Sequence, residues 1–351
     1  MEGSATPTPH GSADESDAAA PPMHPLTVMS LIVYCLAFVL GVLGNGVVIW
    51  VTGFKMKKTA NTVWFLNLAV ADFLFTAFLP LSVTYAAMGF HWPFGQVMCK
   101  LNSAVSSLNM FASVFTLMVI SVDRCICVVR PIWAQNNRSA RKASWACLAI
   151  WAASVLLCVP MLVFRDTITI NTVTFCFNNF ELVDPAVPAP RNTALFQFRL
   201  QAMTITRFVL AFLIPFPVII CCYAVIIHRL RKRPSLASQS TRTFKLIAAV
   251  VIAFFLCWVP FHSVTLLEII SFSTGTHPFA QVLSVATPIA TSLAYFNSCL
   301  NPLLYVFVGR DFKEEIGKCK SLQKLMETAL WEDGSHGKTT AESNVSCDSE
   351  L

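Results

Sequence analysis

The sequence predicts an all-α membrane protein, a seven-transmembrane helix bundle with a short amphipathic helix after the seventh span. Of its 351 residues, 55% are hydrophobic and only 13% are charged, whereas a soluble domain carries roughly 25% charged residues. The hydrophobic residues also form blocks of about twenty or more, the length that crosses a bilayer. The polar stretches between these blocks are too short for an added catalytic or nucleotide-binding domain.

Four segments follow one another along the chain. Residues 1–25 form a Ser-, Pro- and Ala-rich tail without Lys or Arg, which we expect to be disordered and extracellular. Residues 26–308 hold the seven spans, residues 309–320 an amphipathic helix on the membrane surface, and residues 321–351 a disordered cytoplasmic tail. The spans are predicted at 26–51, 59–87, 98–129, 144–164, 202–228, 244–271 and 280–308.

Basic residues set the expected orientation, because Lys and Arg near membrane segments stay in the cytoplasm. With the N-terminus outside and the C-terminus inside, all but five of the 25 Lys and Arg lie on the inner side. The five exceptions are Lys100, Arg165, Arg191, Arg199 and Arg207. The net charge of +6 is therefore explained by a cytoplasmic collar facing anionic lipid, and it needs no nucleic acid.

Most of the thirteen cysteines lie inside the spans, where a thiol packs as a small hydrophobic group. Only Cys99 and Cys176 lie at loop depth on the oxidising side, and a bridge between them would hold the second outer loop across the mouth of the bundle. Cys319 follows the amphipathic stretch and is a candidate for palmitoylation, with an unmodified thiol as the alternative. No metal-ligand spacing is present, so we expect no cofactor apart from a possible sodium ion.

That sodium ion is suggested by polar residues deep in the spans, where they are costly and tend to face the bundle interior. Asp72 is the deepest carboxylate. If the helices alternate in direction, Asn45, Ser113, Asn297 and Asn301 lie at a similar depth. We predict one hydrogen-bonded cluster around Asp72 that can hold a cation. The alternative is a neutral or internally satisfied carboxylate.

A second polar group, Asp123-Arg124-Cys125, stands at the cytoplasmic end of the third span. Its adjacent opposite charges can pair locally and leave Arg124 able to turn elsewhere, which suits a switch. Several prolines favour kinks in the later spans and thus a bundle with more than one packing; they are Pro160, Pro215, Pro217, Pro260, Pro288 and Pro302. A transporter would show two related halves and a channel one continuous polar stripe, and the sequence shows neither.

Motifs in all seven spans together resemble those of a rhodopsin-like G-protein-coupled receptor. They are Gly44-Asn45, residues 68–72, Cys99, Asp123-Arg124-Cys125, Trp151, Pro215, Cys257-Trp258-Val259-Pro260 and Asn301-Pro302-Leu303-Leu304-Tyr305. The resemblance implies that Arg124, with Asp123 and Cys125, engages the G protein once the sixth helix swings outward. It also implies that Trp258 relays ligand contact. Asn301 and Tyr305 would rearrange on activation.

Further strings resemble the chemoattractant branch of that family, above all the chemerin receptors, then formyl-peptide receptors and the chemoattractant-type prostaglandin D receptor. They are residues 54–59, 63–72, 85–88, 91–95, 133–136, 164–167 and 297–302. Formyl-peptide receptors have an arginine where Met203 stands and an acid where Ser107 stands, so a formyl-peptide ligand is not expected. Chemerin receptors have tyrosines in an acidic outer tail, and the tail here has none.

Arg207 is the first candidate for ligand binding, because it lies about two turns below the outer end of the predicted fifth span. A cation in an aromatic-lined cavity suits a ligand carboxylate, since a guanidinium offers paired donors. The alternatives are that it snorkels upward or pairs with Glu268. Arg165 is the second candidate. The remaining residues of the predicted ligand site are Ser107, Asn109, His262, Glu268 and Trp258.

Hydroxyls in the C-terminal tail are interleaved with acidic residues and are predicted phosphorylation sites for receptor kinases. They are Ser335, Thr339, Thr340, Ser343, Ser346 and Ser349. Each phosphate would add about −1.5 to −2 charge, and the cluster would bind basic patches on arrestin. The alternative is a tail that only keeps the C-terminus solvated.

The expected function is that of a plasma-membrane receptor and not of an enzyme. Its ligand would be an extracellular chemoattractant with an acidic end, a chemerin-like protein or peptide, and its partners an inhibitory G protein, arrestins and membrane lipids. One alternative is a receptor for an acidic lipid of the prostaglandin or resolvin type. Another is a scavenging or arrestin-biased receptor, and a channel or transporter is the least favoured.

Overall fold

The structure is a computed structural model that describes residues 23–182, 193–232, 234–274 and 279–308. Side chains are not described at 193, 234–244, 246, 272–274 and 305–308. The predicted amphipathic helix, Cys319, both tails apart from residues 23–25, and all six tail hydroxyls lie outside the described residues.

The described part of the chain consists of α-helices, one β-hairpin and two π-helical turns. The elements are α1 (Pro25–Trp50), α2 (Ala60–Ala87), α3 (Gly95–Val129), α4 (Pro131–Asn137), α5 (Ala140–Phe164), β1 (Arg165–Ile170), β2 (Val173–Asn178), α6 (Thr193–Phe208), α7 (Pro215–Lys232), α8 (Pro234–Thr274) and α9 (Ala280–Val308). The π-turns, Val51–Lys55 and Val209–Leu213, extend α1 and join α6 to α7.

Six helical segments are long and hydrophobic enough to cross a membrane, and they correspond to the first six predicted spans. They are Pro25–Lys55, Ala60–Ala87, Gly95–Val129, Ala140–Phe164, Ala194–Lys232 and Ile247–Ser271. The seventh helix of the bundle is α9, which has the bounds predicted for the seventh span and packs against α1, α2 and α8. The predicted seven-helix bundle is therefore confirmed.

Local capping fixes where two of these helices begin. At α2, the Thr59 hydroxyl accepts a hydrogen bond from the Thr62 backbone N–H at 3.2 Å, and the Thr62 hydroxyl accepts one from the Thr59 N–H at 2.8 Å. This reciprocal pair satisfies N–H groups that the first helical turn leaves free. At α5, the Ser139 hydroxyl accepts from the Lys142 N–H at 3.3 Å.

The fifth span begins earlier than predicted, at Thr193 in place of residue 202. Three polar residues, Gln197, Arg199 and Gln201, lower the hydropathy of its first turns, although they do not stop the helix. Arg207 is consequently about 20 Å from the start of the helix at 1.5 Å per residue, twice the depth that the sequence indicated.

A π-turn interrupts the fifth span just before Pro215. Proline has no N–H to donate to the preceding turn. One residue earlier, the Ile214 N–H donates to the Val209 carbonyl at 2.9 Å, five residues back, as in a π-helix. The chain thus enters α7 with one extra residue in this turn.

Contacts along α1 give the direction of its neighbours. Gly46 lies against Phe73 and Gly41 against Thr76, so α2 runs antiparallel to α1. Side chains further along α1 meet residues further along α9, because Ser292 donates to Ser30 at 3.3 Å and Gly44 lies against Pro302. An added Cβ at Gly44 would lie 2.8 Å from the Pro302 Cβ, so the close approach of α1 and α9 requires glycine there.

The hairpin β1–β2 covers one end of the bundle and was not predicted. Its register places Thr167 opposite Cys176. Cys176 forms the predicted disulfide with Cys99, with the two Cα atoms 5.7 Å apart. The Trp92 N–H also donates to the Thr174 carbonyl at 2.7 Å. We call this the disulfide end of the bundle, and the opposite end the Arg124 end.

Candidate functional site

Arg207 of α6 lies at the junction of α3, α5, α6 and α8. Its side chain is half-buried and interacts electrostatically with Arg165 and Glu268. Within the described residues, no carboxylate lies within ion-pair distance of Arg207. The Glu268 carboxylate instead accepts a hydrogen bond from the Thr287 hydroxyl at 3.5 Å. The alternative in which Arg207 pairs with Glu268 is therefore wrong for this structure.

Arg165 is the first residue of β1 and is also half-buried. Its Nε donates to the Ser103 hydroxyl at 2.7 Å. Burial lowers the pKa of Arg165 below its ordinary value, and the nearby hydroxyls of Tyr295 and Tyr85 only partly offset this effect. In the part of the chain that the structure describes, Arg165 has no ion-pair partner either.

Arg165 and Arg207 together form what we call the arginine pair. The two positive charges are close enough to repel each other, and a partly buried charge is favourable only when an opposite charge or hydrogen bonds compensate it. A carboxylate placed between them would receive donors from both guanidinium groups. Two guanidinium groups without a carboxylate partner among the described residues are candidates for binding an anion.

A cavity of about 310 Å³ opens beside Arg207, between α3, α5 and α6. We call it the α5–α6 crevice. Its lining is mostly apolar and consists of Ser107, Phe111, Leu156, Leu157, Pro160, Met161, Phe164, Phe198, Arg199, Ala202, Met203, Thr206 and Arg207. Ser107, a predicted ligand residue, is therefore placed at the same cavity as Arg207.

His262 and Trp258 lie in α8, on the other side of Arg207. His262 is buried and interacts electrostatically with Arg207. Its ring centroid is 6.0 Å from that of Phe208 and 6.2 Å from that of Trp258. Aromatic rings therefore connect the helix of Arg207 to Trp258, the residue for which the family resemblance implies a relay role.

Asp72 of α2 is fully buried and lies among amides. Its Oδ1 accepts from the Asn109 Nδ2 at 2.8 Å, and its Oδ2 accepts from the Asn301 Nδ2 at 2.7 Å. The contact with Asn301 was predicted. Asn109 was assigned to the ligand site, but the structure places its amide on Asp72, because this side of α3 faces α2.

The other predicted members of the Asp72 cluster differ in their contacts. Asn45 donates to the Gly41 and Ser298 carbonyls, each at 2.9 Å, and so joins α1 to α9 without bonding Asp72. Ser113 and Asn297 are buried, and among the described residues their polar side-chain atoms have no hydrogen-bond partner.

Ser113 and Asn297 lie one helical turn from Asn109 and Asn301, on the same helix faces. Buried polar atoms without partners indicate an ion or ordered water. Carboxylate, hydroxyl and amide oxygens are hard ligands that suit cations such as sodium. The residues around Asp72 therefore fit a hydrated cation.

Arg124 lies in α3 at the other end of the bundle, close to a second arginine. Its Nη2 donates to the Asp123 Oδ2 at 2.8 Å. Arg138, which follows α4, donates through Nε to the two Asp123 oxygens at 2.8 and 3.1 Å. Both arginines also donate to the Asn61 Oδ1. We call these four residues the Arg124 cluster.

The pairing of Arg124 with Asp123 was predicted, but Arg138 and Asn61 were not identified from the sequence. Both lie at the ends of spans, where polar residues are common and carry no signal of their own. Cys125 is half-buried and lies beside Cys222 of α7. Tyr305 is part of α9, and its side chain is outside the described part.

Comparison with known proteins gives consistent matches. Residues 44–305 match the family model described as the 7 transmembrane receptor (rhodopsin family). Chemerin-like receptor 1 of Rattus norvegicus is 48% identical over 292 residues, 82% of this chain and 77% of that protein. The human chemerin-like receptor 1 is 45% identical over 313 residues, 88% of this chain and 82% of that protein. The human chemerin-like receptor 2 is 42% identical over 305 residues, 87% and 82% of the two chains.

Proposed function

The chain belongs to the rhodopsin family of seven-transmembrane receptors, a family of receptors and not of enzymes, and we propose that it binds an extracellular, chemerin-type ligand through an acidic group. The observation that carries the proposal is the arginine pair, in which neither Arg165 nor Arg207 has a carboxylate partner among the described residues. The relatives support the ligand class, because they are chemerin-like receptors at 42% to 48% identity.

We place the disulfide end outside the cell and the Arg124 end in the cytoplasm, at the plasma membrane, because the basic residues favour that orientation. The ligand carboxylate would lie between Arg165 and Arg207. Since Arg207 interacts with His262 and Glu268 of α8, neutralising its charge changes the forces on that helix. A shift of α8 relative to α3 would then release Arg124 from Asp123 and let it engage an inhibitory G protein.

An acidic lipid is the second candidate ligand. The observation in its favour is the α5–α6 crevice, whose walls are mostly apolar and whose lining includes Arg207. A small-molecule site commonly combines such walls with a few polar groups that fix orientation. The two candidate ligands share the acidic group and differ in what is attached to it.

The test is a ligand comparison on cells that express the full chain. Chemerin-type peptides with a free C-terminal carboxylate, the same peptides as amides, and prostaglandin- and resolvin-type acids would be applied while cyclic AMP and arrestin recruitment are measured together. We expect a fall in cyclic AMP only with ligands that carry the acid. A response that is equal for acid and amide would contradict the proposed role of the arginine pair.

We further propose that arrestins bind the phosphorylated C-terminal tail. Changing Ser335, Thr339, Thr340, Ser343, Ser346 and Ser349 to Ala removes every predicted phosphate. The initial cyclic AMP response should persist while arrestin recruitment and internalisation fall. Ser321→Ala with Thr328→Ala is the matched control outside the cluster. Arrestin recruitment equal to that of the parent, at equal surface expression, would contradict the proposal.

A further inference from the structure

A second cavity, of about 210 Å³, lies at the Arg124 end between α2, α3, α4 and α5. We call it the α4–α5 cavity. Its lining includes the ring of Trp64, the ion pair of Asp123 with Arg138, and Ser139 and Lys142 at the start of α5. The cavity thus borders both the Arg124 cluster and the N-terminus of α5, and the proposed function gives it no role.

The α4–α5 cavity presents hydrogen-bond donors and positive charge. Trp64 is only 5% exposed, and its Nε1 has no hydrogen-bond partner among the described residues. An indole N–H can only donate, and a buried donor without an acceptor costs free energy. Lys142 is exposed at the rim, and the 25 residues of α5 add the positive end of a helix dipole. These groups favour an anion that offers several acceptor oxygens.

Ser139 is a lining residue that can acquire such an anion by phosphorylation. It is exposed and is the N-cap residue of α5, where its Oγ accepts a hydrogen bond from the Lys142 N–H at 3.3 Å. The oxygens of a phosphate at this position would face the same helix N-terminus, which stabilises negative charge. Asp123 also lines the cavity, but Arg124 and Arg138 already compensate its charge.

The chain around Ser139 suits a kinase that recognises basic residues. Arg138 precedes the serine, and Arg141 and Lys142 follow it at the second and third positions. Arg138 and Ser139 have extended backbone, with φ/ψ of −87°/121° and −143°/156°, as a peptide does in an enzyme cleft. Ala134 is the one buried residue of α4, so local unfolding of this short helix is inexpensive. Such unfolding would expose the segment to the kinase.

We propose that Ser139 is a phosphorylation site for a kinase that prefers basic residues. The phosphate binds in the α4–α5 cavity, where Lys142, Arg138 and the Trp64 N–H provide donors. In the reaction the Ser139 Oγ attacks the γ-phosphorus of ATP, the bond from that phosphorus to the bridging oxygen breaks, ADP leaves, and the hydroxyl proton passes to a base of the kinase. Access by a cytoplasmic kinase rests on the proposed orientation of the bundle, whereas the phosphate site does not.

The phosphate competes with Asp123 for Arg138. In the unmodified chain the Arg138 Nε donates to the two Asp123 oxygens at 2.8 and 3.1 Å. A phosphate carries about −1.5 to −2 charge, more than a carboxylate, and it is attached to the residue next to Arg138. Arg138 should therefore turn towards it and leave Asp123 with Arg124 alone. The expected result is a modest rise in basal G-protein activation, and only this consequence rests on the proposed function.

Phosphorylation is tested on the full chain in phosphatidylcholine nanodiscs, incubated with ATP and the catalytic domain of protein kinase C. Both ends of the bundle are accessible there, so the test is independent of orientation. Mass spectrometry should locate phosphate on Ser139 in the parent and find none at this position in Ser139→Ala. Ser144→Ala is the matched control, because Ser144 is also exposed but lies within α5, where its hydroxyl donates to the Ala140 carbonyl at 3.0 Å. A parent without phosphate on Ser139, or with phosphate on Ser144 instead, would overturn the proposal.

A second measurement tests where the phosphate lies. Phosphoserine would be incorporated at position 139 during synthesis, and phosphorus NMR would follow the titration of the phosphate. Nearby cations and donors favour its charged form, so the pKa of the phosphate should be lower in the folded chain than in the unfolded chain. Lys142→Gln and Trp64→Phe should each reduce this difference. Arg141→Gln is the control, because Arg141 is exposed and does not line the cavity.

An equal phosphate pKa in the folded and unfolded parent would overturn the assignment of the phosphate to the cavity. That comparison still decides if a variant does not fold.

Basal nucleotide exchange on an inhibitory G protein, measured on the same nanodiscs, separates this proposal from the proposed function. The phosphate should raise basal exchange about twofold in the parent and add little in Arg138→Ala, since both changes remove the same contact. An equal rise in Arg138→Ala would contradict the competition for Arg138. A phosphorylated Ser139 with a lowered phosphate pKa, in a chain that drives no exchange with any ligand, supports the site and contradicts the proposed function. Ligand-driven exchange by a chain that is never phosphorylated on Ser139 overturns the phosphate site alone.

Discussion

The arginine pair and the Arg124 cluster each bring two arginines together, but they differ in whether a carboxylate compensates the positive charge. Arg124 and Arg138 share the Asp123 carboxylate and the Asn61 amide oxygen. Arg165 and Arg207 share no carboxylate in the described part of the molecule. The charges of the Arg124 cluster are compensated within the chain, so these contacts can stabilise the conformation in which Arg124 is bound to Asp123. We propose that an anion from outside the chain supplies the missing negative charge at the arginine pair.

The Asp72 region has the opposite kind of uncompensated charge to the arginine pair. It has a buried carboxylate held by two amides, without a cationic side chain at ion-pair distance in the residues the structure describes. Among the described residues, the half-buried arginine pair thus lacks an anion and the buried Asp72 lacks a cation. We propose that the two uncompensated regions bind a ligand and an ion, and that the compensated Arg124 cluster changes its contacts with the conformation of the bundle.

Removing the Arg207 charge should have the largest effect. Arg207→Ala is expected to weaken the response to an acidic agonist about 30-fold to about 4,000-fold, because the loss of one partner of a desolvated charge pair costs about 2–5 kcal/mol. Agonist potency in a cyclic AMP assay, at matched surface expression, measures it. Amidating the agonist should add little to the loss in this variant; if the two losses simply add, Arg207 is not the carboxylate partner.

Removing the shared carboxylate makes the Arg124 cluster resemble the arginine pair. Asp123→Asn removes the carboxylate that Arg124 and Arg138 share among the described residues, so we expect basal G-protein activation to rise about fivefold or more. Arg138→Ala should give a smaller rise, because Arg124 keeps Asp123. Arg141→Ala, an exposed basic residue nearby, is the control. Basal nucleotide exchange that is equal in Asp123→Asn and the parent would contradict the proposal that the contact with Asp123 keeps Arg124 from the G protein.

The Asp72 region is tested by removing its charge. Asp72→Asn should abolish any dependence of agonist affinity on sodium, since a cation at this site favours one packing of the bundle. In the parent we expect a few-fold change in affinity when sodium is replaced by choline at constant ionic strength. Competition binding on membranes measures both. A parent receptor that is indifferent to sodium would disprove the cation site and leave the hydrogen-bond network as structure.

The smallest expected effect concerns Asp166 at the disulfide end, which is stabilised mainly by neutral hydrogen-bond donors. Although partial burial raises the pKa of Asp166, hydrogen bonds from the Asn179 side chain, the Thr167 N–H and the Gln96 side chain, together with the charge of Lys100, hold it below its ordinary value.

Since the folded-state pKa of Asp166 lies below the unfolded value, the stabilisation is present above about pH 4 and is lost as the pH falls through the folded pKa. Asp166→Asn should therefore lower the thermal unfolding midpoint slightly at neutral pH, and the difference from the parent should vanish in acid. A difference that grows as the pH falls would have the wrong sign for this assignment. The exposure of the carboxylate keeps the effect small.

Hydropathy alone was sufficient to find the seven spans, because a membrane-crossing segment must be long and apolar. It placed the start of the fifth span nine residues late, since the polar residues Gln197, Arg199 and Gln201 interrupt the hydrophobic run. The β1–β2 hairpin was missed although the Cys99–Cys176 bridge was predicted. The pairing of its two strands and the contact of Trp92 with Thr174 leave no signal in the hydropathy of the sequence.

The site residues likewise include some that the sequence predicted correctly and some that it misplaced or missed. Asp72 and Asn301 were identified together because polar residues deep in the membrane cost free energy unless they form hydrogen bonds with one another. Asn109 was assigned to the wrong place, since depth along a helix does not give its rotation about the axis. Asn61 and Arg138 were missed because polar residues at span ends are ordinary. The depth of a residue in the membrane can thus be predicted from the sequence, whereas the direction in which a helical side chain faces and the contacts of loops cannot.

The π-turn Val209–Leu213 determines the rotational register of Arg207. Each residue in an α-helix turns the chain by about 100°, so the extra residue of this turn rotates all of α6 by about that angle relative to α7. A deletion of one residue from 209–213 would restore a regular helix and turn Arg207 away from both the crevice and Arg165. Related chains can therefore keep every side chain of the arginine pair and still lose the site through a single-residue change in spacing.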